Sequence, residues 1–337
     1  MKRPSLPTLI LALAAICGST SQLFASGARE SGAPPPPAGS SAGPSADGRS
    51  SLRAVDKLRI GVLSDVDSIP LFIARDHGFF ARDNADVELI EFKSPVTRDA
   101  ALQAGEIDGA ISDVLAAVFA RQAGFKVRIT SATNGSYKLV VNPHSAVNNL
   151  AGLEGKSVGI SQNTIIEYCT DRMFEAANLS VALVRKLPVS QMPVRLEMLQ
   201  QGKLDAAVLP EPLASVAVAA GGRTLDSSDR LGINPGVIIF REQSISARSA
   251  QIRNFYAAYN DAVSYLEATP PDRYIDALVV SASFPSQARQ SLVLPRYELA
   301  AVPREKEVTE VTAWLHAKGL ASRVYPYGEL VDGSVLP

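Results

Sequence analysis

"LQAGEIDGAISD" (Leu102–Asp113) and "LQQGKLDAAVLP" (Leu199–Pro210) say nearly the same thing 97 residues apart. Self-similarity at a long fixed spacing constrains a fold more than any single element does. Followed outwards, the match grows. "KLRIGVLSD" (Lys57–Asp65) parallels "GKSVGISQ" (Gly155–Gln162), with Gly61 and Gly159 98 residues apart. "SPVTRDAALQAG" parallels "MPVRLEMLQQG", with Pro95 set against Pro193 and Gly105 against Gly202. Each unit reads as a strand, a turn, a helical stretch, a second strand, a helix opened by proline and a third strand.

The local chemistry agrees. "LRIGVL" is a short apolar run between turn residues, the signature of a buried strand. "PLFIARDHGFF" predicts a helix started by Pro70 and stopped by Gly78. "DVELIEF" reads as a strand, and "VTRDAALQAG" as a helix ended by Gly105. Strand and helix in alternation predict a parallel sheet, so two units predict two α/β lobes that face each other. Ligands of open α/β sheets bind beyond the carboxyl ends of the strands, which places the expected site in the cleft between the lobes. After Gly236 the pattern changes. A strand, "GVIIFRE", is followed by two amphipathic stretches over 247–271 and 305–319 with no counterpart in either unit, expected to pack on the first lobe.

The rest of the chain bounds what it can do. It has 337 residues, 46% hydrophobic and 20% charged, with net charge −1, so nothing draws it to nucleic acid. "MKRPSLPTLILALAAIC" followed by "QLFASG" predicts a secretory signal over residues 1–25. The Pro-, Gly- and Ser-rich stretch 26–51 predicts a disordered linker. Of the two cysteines, Cys17 lies in the signal, where Ile16 precedes it instead of the small residue of a lipid-attachment box. A lipid anchor at Cys17 therefore stands only as the alternative to simple cleavage. Cys169 is then the one thiol of the mature chain, in a helical stretch that predicts an inert buried group.

Catalytic and metal motifs fall away. "GKSVG" (Gly155–Gly159) has the letters of a nucleophile elbow, but Ser157 opens a strand instead of following one. His77, His144 and His316 are isolated, and no metal cluster or cofactor motif is visible. What remains is a set of polar residues at strand ends. They are Ser64, Asp65, Asp67 and Ser68 after the first strand, and Ser112 and Asp113 at the third. Thr133, Asn134 and Tyr137 lie in "TSATNGSYK"; Ser161, Asn163 and Thr164 lie in "SQNT"; Glu211 lies in "PEP". Each is explained either as a helix cap or as a contributor to a shared cleft.

"LRIGVLSDVDSIPLFIARDHGFF", "LQAGEIDGAISD", "GLEGKSVGISQNT" and "LQQGKLDAAVLPEPLAS" together resemble the periplasmic solute-binding proteins of ABC importers. The nearest group is the one that takes nitrate, taurine, alkanesulfonates and thiamine pyrimidines (NMT1/THI5-like), over about residues 57–320. The resemblance implies a two-lobed, type II Venus-flytrap fold, with "YKLVVN" and "PGVIIF" as crossing strands. Lobe 1 is then 52–141 with 237–337, and lobe 2 is 142–236. It implies a monomer that captures a small molecule and meets an ABC permease and its ATPase in the periplasm, touching the membrane only through that permease or a lipid at Cys17. Two alternatives stay open: a pyrimidine or menaquinone-precursor enzyme of the same fold, which the export signal disfavours, and a solute sensor that reports to a membrane receptor. The cleft loops bring acids, no arginine and one lysine, Lys138. That balance predicts an amine or N-heterocycle as ligand, with Phe72, Tyr137 or Tyr168 as stacking partners.

Overall fold

The computed structural model describes residues 57–337. The signal expected over 1–25, the linker expected over 26–51 and Cys17 lie outside the described residues.

The first unit runs β1 (Leu58–Leu63), α1 (Ile69–Asp76), the single turn α2 (Phe79–Arg82), β2 (Val87–Phe92), α3 (Pro95–Ala104) and β3 (Gly109–Asp113). It continues through α4 (Val114–Gln122) and β4 (Val127–Ala132). Residues 133–136 then carry the chain across to β5 (Tyr137–Val141). The second unit is β6 (Ser157–Ile160), α5 (Ile165–Ala176), β7 (Arg185–Pro188), α6 (Met192–Gln200) and β8 (Ala206–Pro210), followed by α7 (Leu213–Ala219) and β9 (Arg223–Ser227). Residues 228–235, which include α8 (Ser228–Leu231), return the chain to β10 (Gly236–Arg241). Last come the long α9 (Glu242–Ala268), α10 (Ile275–Ser281), α11 (Ala288–Ser291), α12 (Glu305–Ala317) and α13 (Tyr327–Leu330).

The strands form two five-stranded sheets, ordered β2-β1-β3-β10-β4 and β7-β6-β8-β5-β9. Within each, the three repeat strands pair in parallel. The strand that has just crossed, β10 or β5, pairs antiparallel with both neighbours. Both sheets are therefore mixed, where alternation alone had predicted parallel ones. The crossing strands also correct a boundary. The sequence reading ended the first stretch of lobe 1 at residue 141, but β5 pairs with β8 and β9, so Tyr137–Val141 belongs to the second sheet.

Two apolar clusters hold the molecule together, and each runs through both lobes. One joins Leu63 and Ile69 to Met192, Leu196 and Leu213; the other joins Leu115 and Val237 to Tyr137, Ile165 and Phe174. The helices outside the repeat brace this arrangement. Helix α9 presents Ile252, Phe255, Tyr256, Tyr259, Val263 and Leu266 inwards and lies on α1 and α2, after a break in helical geometry at Arg248. Helix α12 packs on α4 but does not stop at the first lobe. The Trp314 ring meets Tyr168 of α5 edge-on at 5.4 Å, and Lys318 Nζ reaches Asp171 Oδ2 at 2.8 Å. Helix α11 touches α7 in the same way. Both amphipathic helices thus pack on the first lobe as expected, and α12 reaches the second lobe as well.

Candidate functional site

The carboxyl ends of the repeat strands converge on one small enclosed cavity between the sheets. Leu63, Asp65, Asp67, Pro95, Arg98, Ile111, Ser112 and Asp113 line it from the first lobe, and Tyr137, Ile165, Ile166, Met192, Arg195 and Pro210 from the second. Its free space is about 20 Å³, close to that of one water molecule. The lobes are in direct contact around it. The Val66 N–H donates to Glu211 O at 3.0 Å, and the Met192 N–H donates to Lys93 O at 3.3 Å.

Two buried arginines dominate the cavity chemistry, and neither was read from the sequence as a site residue. Arg98 on α3 is 2% exposed and Arg195 on α6 is 0% exposed. Their positions repeat. A Cβ added at Gly61 on β1 would stand 3.2 Å from Arg98 Cγ, and one at Gly159 on β6 would stand 3.3 Å from Arg195 Cγ. Each lobe thus has a glycine on its first strand over which an arginine stem passes into the cleft. Ile107 and Leu204 press on the same two glycines, completing the correspondence. The premise that the cleft brings no arginine is corrected here. The arginines come from helices α3 and α6, not from the strand-end loops.

The two guanidinium groups differ in their partners. Arg98 Nε donates to Asp99 Oδ1 at 2.9 Å. Its Nη2 lies 2.8 Å from the same oxygen but makes no hydrogen bond. Burial alone would lower its pKa; Asp99 and Asp113 outweigh burial and raise it. Arg195 donates from Nη1 to the Val189 carbonyl at 2.6 Å, while Nε and Nη2 have no partner. No acidic side chain pairs with it among the described residues, and burial pulls its pKa down to about 10. A buried charge without a counter-charge is among the most costly groups in a protein interior.

The acids expected at the site are divided by their surroundings. Asp67 Oδ1 accepts from Thr133 Oγ1 at 2.5 Å, and Oδ2 accepts from the Tyr137 hydroxyl at 2.8 Å. Asp67 thereby ties β1's loop to the 133–136 crossing. Asp65 has a single side-chain donor, Ser68 Oγ at 3.1 Å. Burial, with Asp67 beside it, pushes Asp65 up to about 7, and burial also raises Asp67. Asp113 caps α4 by accepting from the Ala116 N–H at 2.8 Å, and burial pushes it up to about 6. Ser112 lines the cavity and donates to Asp99 Oδ1 at 3.4 Å.

The remaining candidates do other work. Ser64 has a buried hydroxyl without a partner and lines a neighbouring groove along the seam. Ser68 supports Asp65, and Thr133 supports Asp67. Asn134 Oδ1 accepts from the Glu298 N–H at 3.0 Å, away from the cavity. Thr164 caps α5. Asn163 sits at φ 58° and donates its N–H to Glu167. Ser161 is fully buried with its hydroxyl unpaired, yet does not line the cavity. Glu211 is paired with Lys138 and accepts a hydrogen bond from Ser215 Oγ at 2.9 Å. Of the three aromatic candidates only Tyr137 lines the cavity. Phe72 is core beneath Arg75, and Tyr168 meets Trp314. The Cys169 thiol is buried in the second cluster, and burial holds its pKa far above the ordinary thiol range. No group of three metal-ligating side chains occurs among the described residues, and none of their helices is long and apolar enough to cross a membrane.

The family described as NMT1/THI5 like matches residues 65–272, more than half of the chain. The chain belongs to this family. The matched stretch of this NMT1/THI5-like chain opens at Asp65, takes in both arginines and both crossings, and leaves out α10 to α13. No curated protein matches it in sequence. Solved structures share the NMT1/THI5-like chain's fold. The periplasmic aliphatic sulphonate binding protein SsuA from Escherichia coli superposes with a TM-score of 0.67 at 18% identity, over 82% of this chain and 97% of its own. The alkanesulfonate-binding SsuA from Xanthomonas axonopodis pv. citri, bound to MOPS, gives 0.66 at 19% identity, over 83% and 98%. The desulfurization enzyme DSZB gives 0.60 at 13%, over 82% and 97%, so the same architecture carries catalysis elsewhere.

Proposed function

We propose that this chain is an extracytoplasmic solute-binding protein that closes its two lobes around a small molecule bearing an oxyanion and hands it to an ABC permease. One observation carries the ligand class. Arg195 is fully buried, lines the interlobe cavity, and has two unpartnered N–H groups and no acidic partner. A sulfonate or carboxylate placed there supplies the missing counter-charge and accepts the orphan donors, in charge-assisted hydrogen bonds. Arg98 adds a second donor from the opposite wall. A bare amine or neutral heterocycle would leave Arg195 as it is, so the amine expectation survives only as a second group on an anionic ligand. Asp65, with its single donor, is the acceptor such a group would meet. The ligands named for the fold neighbours, aliphatic sulphonates and MOPS, have this chemistry.

The binding role is favoured over catalysis because the one described thiol is inert and Ser157 is engaged with Asp205 at 2.7 Å. Calorimetric titration of the purified protein with methanesulfonate, taurine, sulfate, nitrate, short carboxylates, amines and aminopyrimidines tests the reading. Binding of sulfonates or carboxylates that disappears in Arg195→Met supports it. Binding of a neutral heterocycle or amine with no response to any oxyanion would overturn the ligand class.

A further inference from the structure

The residues of the two crossings divide between the lobes, because each hydrogen bond ties its residue to one side. In the first crossing the Thr133 N–H donates to Gly236 O at 3.1 Å and Thr133 Oγ1 donates to Asp67, both on lobe 1. Ser136 belongs to lobe 2. Its Oγ donates to Asp229 of α8 at 2.7 Å, and its carbonyl accepts the Glu211 N–H at 3.0 Å. In the second crossing Gly232 and Ile233 turn back onto α8, whereas Asn234 donates to the Thr133 carbonyl and Pro235 O accepts from the Val114 N–H at 3.1 Å.

Asn134 is held by a third segment, residues 297–301, which lies outside both repeat units and outside the family match. Its Oδ1 accepts from the Glu298 N–H at 3.0 Å. The same segment is fastened to lobe 1. The Tyr297 hydroxyl donates to Val66 O at 2.9 Å, and the Ala300 N–H donates to Asn260 Oδ1 of α9 at 2.8 Å. The Ala301 N–H donates to Ser131 Oγ at 3.2 Å, and its carbonyl accepts the Ala132 N–H at 2.7 Å. Val66 is also the residue whose N–H reaches Glu211 across the seam. Between Asn134 and Ser136 stands Gly135, where an added Cβ would collide with the Asp67 carboxylate and the Tyr137 hydroxyl.

We propose that residues 297–301 are a hinge strap: they hold Asn134 to lobe 1, confine bending of the first crossing to Gly135, and make Asn134 and Tyr297 positioning residues for lobe closure. The inference rests on the closing motion proposed above and adds where the chain bends and what limits the bend. With the strap fastened, a parting of the lobes has to be absorbed at a glycine already crowded by two side chains. With Asn134 released, residues 133–135 share the change and the lobes part more easily. Tyr297 acts on the same motion from the other end, by holding the loop that carries the Val66 bond to Glu211. Asn134, expected at the ligand, thus has its place at the hinge.

The interlobe hydrogen bonds supply the test. The Met192 and Ile165 amides donate across the seam, to Lys93 O and Asp113 Oδ2, so they exchange with solvent when the lobes part, and neither touches the strap. Hydrogen–deuterium exchange of the purified protein, without added solute, is compared with that of Asn134→Ala and Tyr297→Phe. Each variant removes one bond of the strap. Both amides are expected to exchange about fivefold faster, the effect of one net hydrogen bond, with the amides of β3 unchanged. Unchanged exchange at Met192 and Ile165 in both variants overturns the strap, and lobe closure still stands where these amides slow on addition of methanesulfonate or taurine. Met192 and Ile165 amides that exchange no faster than those of β3 in all three proteins overturn lobe closure and this inference with it. The parent protein decides the matter where a variant fails to fold: Glu298, Ala300 and Ala301 amides that exchange as fast as the Gly135 amide belong to a segment that is not fastened, and overturn the proposal.

Discussion

Asp113 Oδ2 accepts the Ile165 N–H at 3.2 Å, so a carboxylate at the end of β3 in one lobe caps the first turn of α5 in the other. The same residue caps its own lobe's α4 through Oδ1. It is a bond that exists only while the lobes are together, because the two helices belong to different sheets. Asp113→Asn leaves one acceptor oxygen where two were used. The expected outcome is ligand binding weakened about tenfold, the effect of some 1.4 kcal/mol, with the thermal midpoint of the ligand-free protein falling less than that of the liganded one. Titration calorimetry and thermal unfolding of the two proteins check it.

Arg195→Met separates binding from stability. Replacing an unpaired buried charge by an apolar side chain of similar length is often neutral or stabilising. The ligand-free variant is expected to unfold at the same temperature as the parent or higher, and to lose oxyanion binding by a hundredfold or more. Arg98→Met is expected to behave differently, since it strands Asp99 and leaves Asp113 without its nearest cation. A lower unfolding temperature for Arg98→Met alongside an unchanged one for Arg195→Met is the outcome that distinguishes a paired from an unpaired arginine.

Gly159→Ala tests the strand position over which Arg195 passes. An added Cβ would stand 2.5 Å from Leu204 Cδ1, too close without displacement of the side chains above it. Overpacking of this kind costs about 1–3 kcal/mol. The variant is expected to lose both stability and affinity, read by denaturant unfolding and ligand titration. Unchanged affinity would show that the arginine tolerates a different path to the cleft.

Trp314 is the only tryptophan of the chain and stands against Tyr168 across the seam. Its emission should therefore report the relative position of the lobes. Addition of ligand is expected to shift or quench the fluorescence of the parent protein, and Tyr168→Leu is expected to remove most of that change without abolishing binding.

The buried acids set a pH dependence with a definite sign. An aspartate releases its proton near pH 3.8 in the unfolded chain, and Asp65 does so near 7 when folded. Asp113 does so near 6. Folding therefore binds protons between these values, and stability falls as pH rises from about 4 to 7. The thermal midpoint of the ligand-free protein is expected to be higher at pH 5 than at pH 7.5, with the difference reduced in Asp65→Asn.

The sequence showed the duplication because glycines, prolines and small strand residues carry backbone requirements that leave a visible spacing. The site was harder to see for a reason of register. The two helices that carry the arginines had been matched proline to proline, but Pro95 is the first residue of α3 and Pro193 the second of α6. One residue turns a helix by about 100°, so Arg98 fell opposite Leu196 instead of Arg195. Gly105 and Gly202, also matched, lie 97 residues apart, and it is this spacing, not the 98 of the prolines, that sets Arg98 against Arg195. Glu211 looked like a cleft acid because its partner, Lys138, is 73 positions away and meets it only through the antiparallel pairing of β5 with β8. Tyr168 looked like a stacking ring because nothing in its own helix announces Trp314. The tail helices showed their apolar stripes plainly, but a stripe does not say how many lobes it covers.

The exchange of strands β5 and β10 between the two halves of the chain has a mechanical consequence. Each half is stitched into its own sheet only after the chain has passed over, once at 133–136 and once at 228–235. Two short crossings side by side would favour swinging about the line that joins them over sliding or twisting. The closure proposed above would then follow one path, and a solute held between the arginines would meet the same two surfaces each time.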